Sequence, residues 1–142
     1  MNKKPHFHVA AAVIWRDGRV LIARRPRGCH LEGLWEFPGG KKREAESLRH
    51  CLEREIREEL GLHVSVHKAL CSLEHDYGSK RVSLHFFHCT CKGGEPKALE
   101  GQEMRWVKPE ELDGYEFPPP DTKMIEELRH GKGSPESDWF CG

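Results

Sequence analysis

The chain has 142 residues, a length suited to one domain around a single core. Its 23 Lys and Arg are matched by 23 Asp and Glu, which excludes a whole-molecule field that would gather a nucleic-acid polymer. No run approaches the roughly 18 apolar residues that span a bilayer. The apolar stretch Val9 to Trp15, behind the basic Asn2-Lys3-Lys4, stops at Arg16-Asp17-Gly18 and is too short for a secretion signal. The expectation is a cytoplasmic protein without a membrane partner, one domain over 1–142 with its core at about 7–130 and a loose polar tail after it.

In chain order, Val9 to Trp15 and Arg19 to Ala23 read as two strands joined by Asp17-Gly18, a strong hairpin signal. A loop with Pro26 and Gly28 leads to Leu34-Trp35-Glu36-Phe37 and then Pro38-Gly39-Gly40. Glu46 to Leu60 contains no Gly or Pro and predicts a helix, ended by Gly61 as a C-terminal cap. Leu62 to Leu73 and Arg81 to Cys91 read as strands, the second with Val82, Leu84 and Phe86 on one face. Met104 to Val107 is a further short strand. Pro109-Glu110-Glu111-Leu112 starts a short helix, and Asp121 would cap a last one running to about Arg129. Strands around one central helix predict an α/β or α+β fold.

Six cysteines include no Cys-x-x-Cys pair, and a chain of this size folds without disulfides. His88-Cys89-Thr90-Cys91 admits two readings, a zinc cluster or two buried thiols on one strand face; the second needs no unidentified ligands.

The helix carries the chemistry. Glu55, Glu58 and Glu59 stand at i, i+3 and i+4, so at 100° per residue all three project from one side. Leu52, Ile56 and Leu60 form the neighbouring apolar stripe, which sets the carboxylates at the rim of the core. Like charges at this spacing repel by a few tenths of a kcal/mol even in water, and more beside a core, unless a cation joins them. Mg²⁺ suits such a place, since it takes one or two carboxylates together with substrate phosphates. Arg54, four residues before Glu58, is placed to orient that carboxylate. A solvated Glu/Arg face is the alternative reading of the helix alone.

The longer pattern decides between them. Gly40, five residues, Glu46, seven residues, then Arg54-Glu55-Ile56-Arg57-Glu58-Glu59-Leu60-Gly61-Leu62 resembles the Nudix box GX5EX7REUXEEXGU, with every specified position filled. The similarity to MutT-type members of that family extends over roughly residues 7 to 130. It is carried by Ala23-Arg24-Arg25, Trp35 to Lys41, Lys80 to Phe86, Glu100-Gly101-Gln102 and Glu116-Phe117-Pro118-Pro119. The resemblance implies an α/β/α sandwich with a mixed sheet and the Nudix loop-helix-loop. It also implies Mg²⁺-dependent hydrolysis of a nucleoside triphosphate to monophosphate and pyrophosphate, with Mn²⁺ as the other suitable ion.

By that resemblance Glu58 and Glu59 are the main metal ligands, joined by the Gly39 carbonyl, Glu55 and Glu100. Either Glu55 or Glu100 serves the attacking water, with Glu103 a sequence neighbour in reserve. Arg25 and Lys41 meet phosphate oxygens. Phe86 or Trp35 is an aromatic candidate for the base, and His30 a loop candidate to approach the substrate. MutT-like enzymes carry an Asn after Phe-Pro-Pro that reads oxidised guanine; here the position is Asp121. A carboxylate only accepts hydrogen bonds, whereas an amide both donates and accepts. The family default of 8-oxo-dGTP therefore competes with CTP or dCTP, whose exocyclic amine suits a carboxylate. ADP-ribose or a dinucleoside polyphosphate would keep the same box, and a non-catalytic nucleotide-binding module would be expected to have lost one of its carboxylates. Monomer and homodimer are both compatible with the sequence.

Overall fold

The computed structural model describes residues 4–26, 28 and 32–131. The loop histidine His30, together with Cys29, Cys141 and the expected tail, lies outside the described residues. Among the described residues no helix is long and apolar enough to cross a membrane.

Two long strands organise the molecule. β1 (His6–Arg16) runs parallel to β6 (Arg81–Cys91), in register from His6 opposite Arg81 to Trp15 opposite Thr90. β6 pairs antiparallel with β5 (Val64–Asp76), which carries register shifts between Val66 and Cys71. The other edge of β1 is shared by β2 (Arg19–Arg24) and β4 (Gly39–Lys41), both antiparallel to it. β2 in turn carries β3 (Trp35–Glu36) and β7 (Glu103–Val107). The Asp17-Gly18 turn has φ of 51° and 75°, the left-handed pair that a tight hairpin requires.

β1 is apolar at every position from Ala10 to Trp15 because both of its faces are covered. Ala10, Ala12 and Ile14 pack with Cys51, Leu52, Ile56 and Leu60 of α1 (Leu48–Leu60). Ala11, Val13 and Trp15 pack on the opposite side with Met124, Ile125 and Leu128 of α2 (Thr122–Arg129) and Leu112 of the 3-10 turn Pro109–Gly114. The result is the expected α/β/α sandwich. Burial of Leu52, Ile56 and Leu60 contributes roughly 1.5–3 kcal/mol each to holding α1 against the sheet.

Several boundaries differ from the sequence expectation. The central helix begins at Leu48, not Glu46, because the Ser47 hydroxyl accepts the His50 N–H at 3.1 Å as the N-cap. Glu46 stays outside the helix, drawn to Arg54. The helix ends as expected on Gly61, at φ 63°. β5 starts two residues later than Leu62 and continues to Asp76. β3 and β4, which local pattern did not signal, are short and owe their conformation to pairing with β2 and β1. Asp121 precedes α2, but its side chain makes no capping hydrogen bond. Cys89 is fully buried and Cys91 partly buried, both on the α1 side, as same-face thiols.

Candidate active site

Arg54 is the organising cation. Its Nε and Nη2 donate to Glu46 at 3.0 and 2.6 Å, its Nη1 to Glu55 at 2.8 Å and to Glu58 at 3.4 Å, and Nη2 to the Lys41 carbonyl at 3.3 Å. Glu46 also accepts the Arg43 N–H at 2.8 Å. The Arg54 hydrogen bonds, and after them the one from Arg43, pull the Glu46 carboxyl down to about 2. These contacts stitch the loop ahead of α1 to the middle of the helix, so the box glutamate at 46 has a structural task. Glu55 lies flat against Gly40, where an added Cβ would stand 2.3 Å from its carboxyl carbon.

Glu59 is different. It is largely buried, and its Oε2 has no hydrogen-bond partner among the described residues. The Gly39 N–H bonds to the carboxyl, yet burial first, and then Glu36, Glu55 and Glu100, push it up to about 9. Buried carboxylates repel unless something positive stands between them. Glu36 is itself raised, chiefly by burial with Glu100 adding to it, and Arg25 opposes this with an ion pair at 2.6 Å. Glu58 is half-exposed and leans to Arg54. As the side chains stand, no three His, Cys, Asp or Glu groups among the described residues are already gathered to hold an ion.

Beside this cluster opens a cavity of about 300 Å³, large enough for part of a small ligand. One end is lined by Arg25, Glu36 and Gly39 to Lys41, and the walls are Val9, Val82, Leu84, Pro118 and Pro120. Asp121 lines it too, only 5% exposed. Burial, and secondarily the charge of Glu36, push its carboxyl up to about 7. Lys41 sits with its ammonium 4.0 Å from the Phe7 ring centre.

The sequence-selected residues Arg25, Gly39, Lys41, Glu55, Glu59, Glu100 and Asp121 thus converge on one region, with Glu58 at its exposed rim. Two of the sequence candidates stand away from this cavity, and a third lies in its floor. Glu103 lies on β7, paired to Arg105 at 2.7 Å and Arg24 at 3.4 Å. Trp35 packs edge-on against Tyr115 at 5.1 Å and does not line the cavity. Phe86 lines the cavity as part of its floor, fully buried and edge-on to Phe37 at 5.9 Å. Two further residues line the cavity, and of these the sequence reading did not include Tyr77. Tyr77 and Lys80 come from the turn between β5 and β6; the Tyr77 hydroxyl is raised by burial and then by Asp121, and the Lys80 ammonium stands 5.7 Å from the tyrosine ring centre. Lys80 belonged to a recognised segment, yet in the sequence it could equally be a solvated turn.

The family model for the NUDIX domain matches residues 9–127. A CTP pyrophosphohydrolase of Escherichia coli (strain K12) is 40% identical over 120 residues, covering 84% of this chain and 89% of that protein. An 8-oxo-dGTP diphosphatase of Haemophilus influenzae is 35% identical over 130 residues, covering 90% and 94%. The solution structure of the E. coli ORF135 protein superposes with a TM-score of 0.77 at 36% identity, covering 89% of this chain and 91% of that one. With the box filled, Glu55, Glu58 and Glu59 set on one helix and the match spanning most of the chain, the protein belongs to the NUDIX family as a MutT-like hydrolase.

Proposed function

We propose that the protein hydrolyses a nucleoside triphosphate to the monophosphate and pyrophosphate with a divalent cation, and that a cytosine nucleotide is its preferred substrate. The observation that carries the metal dependence is the orphaned, buried Oε2 of Glu59 amid Glu36, Glu55 and Glu100. A hard cation is the group such oxygens fit. Glu58 and Glu59 would hold it, with the Gly39 carbonyl, Glu55 and Glu100 in support; Mg²⁺ is the natural ion and Mn²⁺ a substitute. Bound there, it would supply charge neutralisation on the phosphate oxygens and a more acidic water.

The chain's own groups do the rest. Arg54 fixes Glu55 and steadies Glu58. Arg25 exchanges its Glu36 partner for a phosphate oxygen, and Lys41 offers a second cation at the same end. Glu55 already spends one oxygen on Arg54, so the water's proton would go to Glu100. The apolar walls take the base, and Asp121 accepts from the exocyclic amine of cytosine. The 40% identity to a protein named CTP pyrophosphohydrolase supports that base.

A second reading has its own observation. With its carboxyl pushed up to about 7, Asp121 holds a proton part of the time at neutral pH, and a neutral carboxyl donates and accepts as an amide does. That form would suit 8-oxoguanine. Pyrophosphate release from CTP, dCTP, dGTP and 8-oxo-dGTP, with Mg²⁺ and with EDTA, tests the proposal. Cytosine substrates are expected to lead and EDTA to abolish turnover; release that survives chelation, or no release from any triphosphate, refutes it.

A further inference from the structure

Within the Glu100-Gly101-Gln102 segment, one buried amide to which the resemblance gives no role reaches both halves of the site. Gln102 is only 8% exposed, in the loop that precedes β7. Its Oε1 accepts the Glu100 N–H at 3.0 Å, and its Nε2 donates to the Glu59 carbonyl at 3.1 Å. One side chain thus ties the residue behind the loop carboxylate to the residue behind the buried helix carboxylate. Only an amide can serve both ends, since a carboxylate lacks the donor and an aliphatic chain lacks both.

The loop is docked independently of this clasp. Leu99 N–H donates to the Glu59 carbonyl at 3.2 Å and Lys97 N–H to the Leu60 carbonyl at 2.8 Å. The Gly101 N–H donates to the Ala98 carbonyl at 3.0 Å, with Gly101 at φ 72°, a left-handed conformation that glycine takes without strain. None of these bonds holds the amide of the exposed Glu100. Gln102 holds it. Glu100 is close enough to Glu59 and Glu36 for its charge to raise both, so a small swing would change the distance between groups that share one cation.

We infer that Gln102 is a positioning residue: it sets the Glu100 carboxylate against Glu59, and through that spacing the affinity for the divalent ion. This rests on the proposed reading of Glu100 as part of the metal and water site. Gln102 touches neither substrate nor ion.

The test is a double-mutant cycle of Gln102→Leu and Glu100→Gln, with two readouts besides folding. In the absence of nucleotide, Mn²⁺ affinity is measured by electron paramagnetic resonance; with Mg²⁺, kcat and KM are measured on CTP. The melting temperature in EDTA checks that both variants fold. Gln102→Leu is expected to weaken Mn²⁺ binding and to lower kcat about ten- to a hundredfold, the scale of a misplaced group, with KM changed less than kcat. In the Glu100→Gln background the same change should cost less than about twofold in either readout, since the group it positions is gone. Equal losses in both backgrounds, or unchanged Mn²⁺ affinity in Gln102→Leu, overturn the inference. A wild type that turns over no triphosphate refutes the proposed function alone, because the Mn²⁺ cycle still decides whether Gln102 acts through Glu100.

Discussion

Asp121→Asn separates electrostatics from packing at the cavity, because the amide matches the carboxyl in shape and cannot ionise. In the fold the carboxyl is pushed from 3.8 up to about 7, first by burial and then by Glu36. Between those pH values the folded chain keeps a proton that the unfolded chain has released. Stability therefore falls as pH rises through this window, and it levels off above about 7. At 1.36 kcal/mol per pH unit, the gap sets a ceiling of about 4 kcal/mol on what the ionised side chain costs the fold. The amide that replaces it does not incur that cost. The variant should match wild type near pH 4 and exceed it at pH 8, by up to about 12 °C in melting temperature at roughly 3 °C per kcal/mol. Urea or thermal unfolding of both proteins from pH 4 to 8 in EDTA measures the difference, and titrations common to both cancel. Parallel stability curves would refute the burial argument and, with it, the reading of Asp121 as a group that shifts between charged and neutral forms.

Further outcomes follow from the same geometry. Asp121→Asn should also move the kcat/KM ranking towards 8-oxo-dGTP and away from dCTP by about tenfold or more, the scale of one mispaired buried group; an unchanged ranking would mean that Asp121 does not read the base. Glu58→Gln should leave the melting temperature in EDTA unchanged within about 2 °C, since the side chain is half-exposed, while removing most Mg²⁺-dependent turnover; wild-type rates would remove its metal role. Gly40→Ala places a methyl 2.3 Å from the Glu55 carboxyl carbon, so the protein should fold and lose at least about tenfold in kcat as that carboxylate is displaced. Gly39→Ala instead meets the Ala10 carbonyl at 2.0 Å and the Ala11 Cα at 2.9 Å, both backbone, and should lower stability by several kcal/mol; equal melting temperatures for the two variants would contradict this distinction.

What could be read from the sequence was whatever local chemistry determines. The helix announces itself through thirteen residues free of Gly and Pro and a Gly61 cap, and the first hairpin through Asp17-Gly18. The carboxylate rim follows from helical spacing alone. The helix start was misplaced because Ser47 and Glu46 are both plausible openers, and the choice is made by Arg54, eight residues on, taking Glu46 for itself. β3 and β4 carry no local signal, being two and three residues long around Pro38 and supported by strands from elsewhere in the chain. Tyr77 carries no local sign of its place, and Lys80 reads equally as a solvated turn, for a related reason. They reach the cavity because β6 lies parallel to β1 across some seventy residues of chain, a pairing no short window contains.

Glu36 shows how the two ends of the site are joined. Its charge raises Glu59 on one side and Asp121 on the other, while Arg25 offsets it from 2.6 Å away. A phosphate that draws Arg25 off Glu36 would leave that carboxylate without its paired cation, beside the Glu59 and Asp121 carboxyls that its charge already raises. The imbalance is relieved either by a proton on one of them or by a metal ion among them. In the proposed reaction phosphate would bring such an ion with it, and the ion would relieve at Glu59 what the loss of Arg25 creates at Glu36. On this account Arg25 would be the contact through which phosphate binding is felt at Glu36, and the acidity of Asp121, the proposed reader of the base, would be set partly by whether that contact is made.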